Sequence, residues 1–337
     1  MADRLAPAEV ALLERSAALV STFVVGVVAE LGVADLLVKR PRTAAELAVE
    51  LRVDAGVLHR VLRVAAAMGV LSLDGKGRFR LGRLGRPLRS DHPGSVRSWA
   101  RYLALRSTVL PWTDLLESVR TGRGAFPRVH GHSVWQHYAE NPGEHELFNT
   151  AMRRFTEQEV PGIVGAYPWP ERGTVCDVGG GLGAVLAGVL KARPGLRGVL
   201  VDSPAVLAEA EEYLAAAGVR DRVELKGGDL FGTLDVHADL YVLKDVLHDW
   251  DDAACARILG GVRAAAPAGS RIVVIEGTLE HTETHPVLTV VDLIMLTQTD
   301  DGRQRSVGEL HDLFRGAGFA PGGVYRTAGL VSLVEGR

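Results

Sequence analysis

Asp177-Val178-Gly179-Gly180-Gly181-Leu182-Gly183 decides the fold. The run closes a short apolar stretch, Thr174 to Val178, that reads as a β-strand, and it opens a helix. Glycines at a strand-to-helix turn let a ligand approach the backbone closely, and the free amides at the helix start favour negative charge. Downstream, strands are expected at Gly198 to Asp202, Val223 to Leu225, Asp239 to Leu243 and Arg271 to Glu276. Helices are expected between them, Pro204 to Ala217 and Asp251 to Ala266 included. This alternation is the pattern of a doubly wound parallel sheet, and Phe319 to Val334 reads as a closing antiparallel hairpin. Gly179, Gly181 and Ala184 also satisfy a relaxed dinucleotide fingerprint, so a nicotinamide dehydrogenase stays open at this point. Asp202, ending the second strand, carries a carboxylate suited to a ribose diol, which dinucleotide and adenosyl sites share.

Upstream the texture is helical. Residues 9 to 38 read as helix with a break at Gly32, Thr43 and Glu46 form a capping box, and Asp54 caps a helix from Val57 to Met68 that Gly69 ends. Val70 to Leu73 and Arg78 to Leu81 flank the glycine-rich turn Asp74-Gly75-Lys76-Gly77 as a hairpin. Two helices and a hairpin make a winged-helix pattern, which raises the rival reading of a DNA-binding regulator with Lys76, Arg78, Arg80, Arg83, Arg86 and Arg89 as a basic wing. The would-be recognition helix, with Arg60 and Arg63, is dominated by Ala, Val and Leu and has no polar cluster for base edges, which favours a packing module. Residues 96 to 160 are helical and rich in aromatics, Trp99, Tyr102, Trp112, Phe126, Trp135, Tyr138, Phe148 and Phe155 among them. Pro161, Pro168 and Pro170 punctuate the chain, and Pro168 to Gly173 reads as a domain boundary. Three parts are expected: a winged-helix-like domain over 1–95, a helical linker over 96–170 that contributes to a substrate pocket, and a Rossmann-like domain over 171–337.

At 337 residues, 47% hydrophobic and 23% charged with a net charge of -3, the chain is an ordinary globular one with no overall bias toward nucleic acid or anionic membrane. Its two cysteines, Cys176 and Cys255, exclude a disulfide framework and fit a reducing cytosol as packing residues. Met1-Ala2-Asp3-Arg4 begins no signal peptide, and Glu30 and Asp35 interrupt the apolar stretch 17–38, so neither secretion nor a membrane span is expected; a cytoplasmic protein is. No metal is expected either, because beside His248, Asp249, Asp251 and Asp252 no second histidine or carboxylate stands at ligand spacing.

The later motifs separate the nucleotide readings. Gly228-Asp229-Leu230-Phe231 offers a carboxylate for an adenine amino group and apolar side chains for the ring faces, and Leu243-Lys244-Asp245-Val246-Leu247-His248-Asp249-Trp250 follows strand four. Together with the glycine run and Asp202-Ser203-Pro204, their order and spacing resemble the plant caffeic-acid-type O-methyltransferase family, whose bacterial relatives act on polyketides and other natural products. The resemblance extends to Val134-Trp135, Phe148-Asn149-Thr150-Ala151-Met152, Asp292 to Leu296 and Gly316 to Phe319, nearly the whole chain. It implies an S-adenosylmethionine (SAM)-methyltransferase fold, α/β, with a C-terminal antiparallel hairpin and an N-terminal winged-helix-like dimerisation domain, hence a homodimer. It implies SAM contacts, with S-adenosylhomocysteine (SAH) as product, at Gly179, Gly181, Asp202, Asp229, Leu230 and Lys244. Lys244 acts there partly through its backbone; the bland alternative is a solvated or helix-end cation. Phe148, Met152, Phe155 and Met295 fall at positions that contact a flat aromatic acceptor or the cofactor, or else serve as core.

His248 matches the family's catalytic base. Of eleven histidines it alone joins a Leu-His-Asp-Trp context to a place just past the carboxyl end of a strand. A phenol has a pKa near 10, and a base titrating near neutrality suits its proton. A base needs its second ring nitrogen held, and Glu276, ending strand five, is expected to hold it. The position of a second family glutamate is Gln304, a departure that leaves an amide without charge, so the base is left to lean on Glu276, on Asp249 or partly on proximity alone. Asp249 is expected as the N-cap of the following helix, and Trp250 as core. The reading is an O-methyltransferase acting on a phenolic or enolic secondary metabolite. The rivals are an N-methyltransferase, a non-methylating SAM-binding relative of decarboxylase or hydroxylase type, and a SAM-sensing regulator.

Overall fold

The computed structural model describes residues 7–281 and 287–337; the opening Met1 to Arg4 lies outside them. Two compact units divide the chain, one comprising the residues up to Val109 with Pro142–Arg154, the other Leu110–Asn141 with Phe155–Arg337.

In the first unit, helices α1 (Pro7–Ser16), α2 (Ala18–Glu30) and α3 (Val33–Leu37) precede strand β1 (Arg42–Thr43), helices α4 (Ala44–Leu51) and α5 (Ala55–Ala67), and strands β2 (Leu71–Leu73) and β3 (Arg78–Leu81). Thr43 and Glu46 close the expected capping box on α4, Asp54 accepts the Val57 amide at the head of α5, and Gly32 takes a left-handed φ of 64° at the expected break. Two features escaped the sequence. A second break falls at Ala17, where α1 and α2 bend by 46°, and β1 adds a third strand beside β3. Among the described residues no single helix is long and apolar enough to cross a membrane; α1 and α2 pass by length and composition only as that bent pair. Leu47, Leu62 and Phe79 are fully buried in this unit's core. Helix α6 (Arg97–Leu103) follows, and α2 lies against its C-terminal end so closely at Gly26 that a Cβ there would stand 2.3 Å from the Ala104 Cβ. Helix α7 (Arg106–Val109) ends the segment.

Helices α8 (Leu115–Thr121), α9 (Phe126–His130) and α10 (Val134–Glu140) belong to the second unit, and the 25-residue α11 (Pro142–Ala166) runs from one unit into the other. Pro161 lies inside α11, where the sequence reading had it punctuate the chain. A proline removes one helical hydrogen bond and crowds the carbonyl four residues back; here Ile163, Tyr167 and Trp169 bury the following turn and its exit in the core, and tertiary packing holds the helix through the defect.

The second unit is built on β4 (Gly173–Val178), β5 (Leu196–Asp202), β6 (Val223–Gly227), β7 (Leu240–Lys244), β8 (Arg271–Glu276), β9 (Pro321–Arg326) and β10 (Ser332–Gly336), in the order β6-β5-β4-β7-β8-β10-β9. The first five are parallel, and β10 and β9 close the sheet as the expected antiparallel hairpin. Helices α12 (Ala184–Ala192) and α13 (Pro204–Ala216) cover one face together with the end of α11, and α14 (Asp252–Ala265) and α16 (Val307–Gly316) cover the other. Helix α15 (Val287–Gln298) lies between β8 and α16 in the chain. Strands buried on both faces read as continuous apolar runs, as Leu240-Tyr241-Val242-Leu243 and Ile272-Val273-Val274-Ile275 do. The strand order reverses between β4 and β7, and in doubly wound sheets ligands bind at the carboxyl ends of the strands beside such a reversal.

Candidate active site

The glycine run turns the chain from β4 into α12. Gly179, Gly181 and Gly183 take left-handed φ values of 68°, 57° and 81°. A Cβ on Gly180 would fall 2.5 Å from the Asp177 carboxyl carbon, whereas around one on Gly181 nothing lies within 4 Å. Gly181 thus faces open space on a loop whose other glycines are set by backbone and packing. Asp202, at the tip of β5, ties this loop down: Gly181 N donates to its Oδ2 at 2.9 Å and Ser203 N to its Oδ1 at 2.7 Å. Leu230 stands over the loop, 3.5 Å from where a Gly179 Cβ would be, and the exposed Asp229 accepts the Phe231 amide at 2.9 Å. Beneath the loop, Asp177 is 1% exposed with both carboxylate oxygens unpartnered. Burial, then the Asp202 charge, push its pKa up to about 7.

Past β7 the chain makes a left-handed step at Asp245 (φ 52°) and a 3₁₀ turn, Leu247–Asp249. Register explains what meets this turn. Lys244 pairs with Ile275, so Glu276 at the end of β8 reaches the turn's start. Its Oε1 accepts the amides of Leu247 at 2.8 Å and His248 at 3.1 Å. Glu276 therefore holds the backbone of the histidine, where the sequence reading had it hold the ring; its other oxygen is buried and unpartnered. From the opposite side comes Arg305, fully buried, which donates to the carbonyls of Leu247 and Trp250 at 2.7 Å each and to Asp252 at 2.7 and 3.0 Å. Gly302 of the same segment lies so near that its Cβ would stand 2.4 Å from the His248 carbonyl.

The ring of His248 is held by Gln304: the amide end of that side chain lies 3.0 Å from Nδ1, and Gln304 N donates to Asp292 at 2.8 Å. On the other flank His248 Nε2 is 3.6 Å from Asp249 Oδ1. Asp249 is thus an imidazole neighbour; the N-cap of α14 is Asp251, which accepts the Ala254 amide at 2.7 Å. Three acids, Asp249, Asp251 and Asp252, compete for that role in the sequence, and the extra 3₁₀ turn shifts the helix start by two residues. Burial lowers the imidazole pKa, but the carboxylates of Asp249, Asp245 and Glu276 outweigh it and leave it raised. Burial likewise lifts Asp249 to about 7 and raises Glu276. Trp250 packs on the core, stacked with Trp135 and edge-on to Phe231, and both cysteines are buried and free.

Lys244 is neither solvated nor at a helix end. It is buried, with its ammonium 2.9 Å from Glu159 Oε2 on α11 and in contact with Asp245. Burial would depress its pKa, and the two carboxylates override that and raise it. Phe148 and Met152 belong to the first unit and Phe155 and Met295 to the second; all four are half-buried, and Phe148 packs on Tyr102 at 5.6 Å. Sequence reasoning missed Arg305 and Glu159. Charged residues default to the surface in any composition-based reading, and the only signal was the polar run Arg303-Gln304-Arg305 following an apolar helix.

Known proteins share this architecture. A model of the O-methyltransferase domain matches residues 112–320, and one of the O-methyltransferase dimerisation domain matches residues 13–91. O-demethylpuromycin-O-methyltransferase of Streptomyces alboniger is 38% identical over 323 residues, 94% of this chain and 85% of that one. The crystal structure of LaPhzM aligns with a TM-score of 0.93 at 35% identity, covering 98% of this chain and 99% of that one. NcsB1, an O-methyltransferase from neocarzinostatin biosynthesis solved with SAM and 2-hydroxy-5-methyl naphthoic acid, aligns with a TM-score of 0.84 at 34% identity over 99% of each chain. The open face at Gly181 and the Asp202 carboxylate anchored beside it fit the adenosyl cofactor that NcsB1 holds. This chain belongs to the SAM-dependent O-methyltransferase family.

Proposed function

We propose that the enzyme methylates the hydroxyl of a small aromatic or polyketide-type acceptor and that His248 takes the hydroxyl proton. The observation that carries this reading is the held imidazole: a turn at the carboxyl end of β7, beside the glycine loop of β4, is fixed by Glu276 and Arg305, and its ring is gripped at Nδ1. SAM, when bound, supplies a methyl carbon activated by a sulfonium that leaves as the thioether SAH. The protein then has two tasks, to align the acceptor and to receive its proton as the new C–O bond forms. Nε2 of a neutral His248 accepts that proton, and the neighbouring carboxylates, above all Asp249, stabilise the imidazolium.

Backbone at Gly179 and Gly181, the carboxylates of Asp202 and Asp229, the Leu230 side chain and the backbone at Lys244 form the cofactor site. The Lys244 ammonium is already committed to Glu159 and Asp245, which leaves its main chain for the ligand. Phe148, Met152, Phe155 and Met295, each half-buried, are the acceptor-contacting positions that the family resemblance implies, and the aromatic acceptor bound by NcsB1 supports that class of acceptor. The chain works as a homodimer through its N-terminal domain, where Leu12, Leu13, Leu19, Val20 and Phe23 are exposed on α1 and α2, and it resides in the cytoplasm, where Cys176 and Cys255 stay reduced.

The test is His248→Ala assayed with labelled SAM and a panel of aromatic hydroxyls. Turnover is expected to fall roughly 10²-fold or more with SAM affinity kept. The loss should shrink for acceptors whose hydroxyl is already ionised at the assay pH. Undiminished turnover with a weakly acidic phenol refutes the base.

A further inference from the structure

We propose that the winged-helix module of the first unit carries a cationic face, formed by α5 and the β2–β3 hairpin, that docks on the phosphate backbone of duplex DNA irrespective of sequence. The inference is independent of the methyl transfer and concerns a surface that the proposed reaction does not use.

Charge along the chain is uneven. From Lys39 to Asp91 stand twelve lysines and arginines against five acids, a net of +7 where the whole chain carries -3. The average therefore hides a basic stretch. All five acids are committed. Glu46 pairs with Arg40 at 2.8 Å, Asp74 with Arg78 at 2.9 Å, Asp91 with Arg89 at 2.6 Å and Glu50 with Arg42, while Asp54 caps α5. Arg52, Arg60, Arg63, Lys76, Arg83 and Arg86 are exposed and, among the described residues, have no acid within ion-pairing distance. Solvent screens single surface charges well, but six on one module without a counter-charge repel one another, and a polyanion relieves that repulsion.

Placement is the second observation. Leu58, Leu62 and Ala65 turn one face of α5 into the core, and the helical repeat puts Arg60 and Arg63 on the outer side. His59 on the helix meets Phe79 of β3 edge-on at 5.7 Å, which lays the hairpin beside the helix. Phe79 is buried, so its strand neighbours Arg78 and Arg80 lie on the opposite face, and Lys76 stands in the turn at the hairpin tip. Gly82 and Gly85 press so closely on the Gly69 and Val70 carbonyls that neither has room for a side chain, and this seats Arg83 and Arg86 by the end of α5. A helix-turn-helix with its second helix turned outward is the shape such modules offer to a duplex. Helix α5 sets its arginines among Ala, Val and Leu and has no asparagine, glutamine or serine, a composition for phosphate contact and not for reading sequence. An anionic membrane is the poorer match, because Phe79 is the only Phe, Tyr or Trp of this stretch and it is buried, so none is left to anchor at a lipid surface.

The test is fluorescence anisotropy of the full-length protein with a labelled duplex of about 20 base pairs, repeated over a range of salt concentrations. The expected result is a Kd at or below about 10⁻⁵ M in about 50 mM salt, with log K falling against log salt at a slope of about -3 to -5, near -0.9 for each phosphate neutralised. A second duplex of unrelated sequence should bind within about threefold. Arg60→Gln, Arg63→Gln, Lys76→Gln and Arg83→Gln together should flatten the slope by about 2–4 and weaken binding at least about tenfold. The unfolding midpoint should stay within about 2 °C, because all four side chains are exposed. Removing four exposed cations of the second unit, by Arg172→Gln, Lys191→Gln, Arg197→Gln and Arg326→Gln, should leave binding within about threefold. Absence of wild-type binding in about 50 mM salt, an equal loss in the second-unit variant, or a preference above about tenfold between the two duplexes overturns the proposal. So does tighter binding, in the same salt, to vesicles of phosphatidylserine and phosphatidylcholine or to poly-glutamate than to the duplex. Should the first fourfold variant fail to fold, its four single substitutions decide: each is expected to lower the slope by up to about one, and unchanged slopes overturn the proposal.

Discussion

Glu276 offers the sharpest separation of geometry from charge. Its Oε1 holds two consecutive buried amides, Leu247 and His248, and its charge is one of three carboxylates that raise the imidazole pKa. Glu276→Ala removes both contributions. Two buried N–H groups lose their partner at about 1–3 kcal/mol each, so the variant should lose about 2–6 kcal/mol of unfolding free energy, and kcat should fall at every pH because the turn slackens. Glu276→Gln keeps an acceptor for both amides and removes the charge. Replacing charge-assisted hydrogen bonds by neutral ones costs about 1 kcal/mol each. That loss is offset in part because burial already penalises the carboxylate, whose pKa is raised. The net change should stay within about 1–2 kcal/mol. The imidazole, relieved of one negative neighbour, titrates lower, so the acidic limb of the kcat profile shifts down and the enzyme keeps more of its plateau rate in acid. The assays are urea unfolding and pH–rate profiles on the three proteins. Equal destabilisation by Gln and Ala would refute the assignment of Oε1 as the backbone's anchor, and an unmoved limb in Glu276→Gln would refute the charge contribution.

Three further outcomes follow from the geometry. Asp177, with a folded pKa of about 7 against roughly 3.9 unfolded, favours the fold while neutral; that contribution is full below about pH 4 and lost as pH rises to about 7, so Asp177→Asn should match wild type at pH 4 and exceed it by about 3–4 kcal/mol at pH 8 in unfolding of the ligand-free protein. Arg305→Met removes the charged donor from the Leu247 and Trp250 carbonyls and leaves them the Trp250 amide and the weak Cys255 thiol, while Asp252, more than half exposed, resolvates; Tm should drop by at least about 5 °C, and a drop under about 2 °C in calorimetry would contradict the clamp. Gly181→Ala meets no atom within 4 Å and strains only its backbone, so titration calorimetry should show SAM binding weakened at least about tenfold with a stability loss of about 1–2 kcal/mol, whereas Gly180→Ala, pressed on Asp177 and Leu200, should lose more stability.

The legible parts of this chain are those with local causes. Thr43 with Glu46, Asp54, Gly32 and Gly69 mark helix ends through contacts a few residues away, and they stand where the sequence put them. The strand from Arg271 to Glu276 begins and ends as read, because an apolar run between polar flanks fixes both ends. What escaped is long-range. Glu276 lies 28 positions from the histidine whose amide it takes, Gln304 lies 56 from the ring it grips, and Arg305 lies 58 from the carbonyl it clamps. No periodicity reports such pairings. Proximity along the sheet edge placed Glu276 near His248 correctly; which atom it would meet depended on the register of β7 against β8. The same holds for Pro161, whose local rule was overridden by packing on the far side of the helix.

The carboxyl edge of the sheet also explains why an acid-rich site suits this chemistry. Asp177 and Asp249 are pushed to about 7 and Glu276 and Glu159 are raised, each foremost by burial. The buried cations beside them, Lys244 and Arg305, are spent on Glu159, Asp245, Asp252 and two carbonyls. Burial thus favours the neutral forms of these acids, and a cation brought to the edge would draw them toward their charged forms. On the proposed reading, a sulfonium donor would bring a positive charge to this edge, and the imidazolium formed at His248 would replace it once the donor has become a neutral thioether. Positive charge at the edge would thus be conserved across the proposed methyl transfer, and the buried carboxyl groups would face a cation before the reaction and after it.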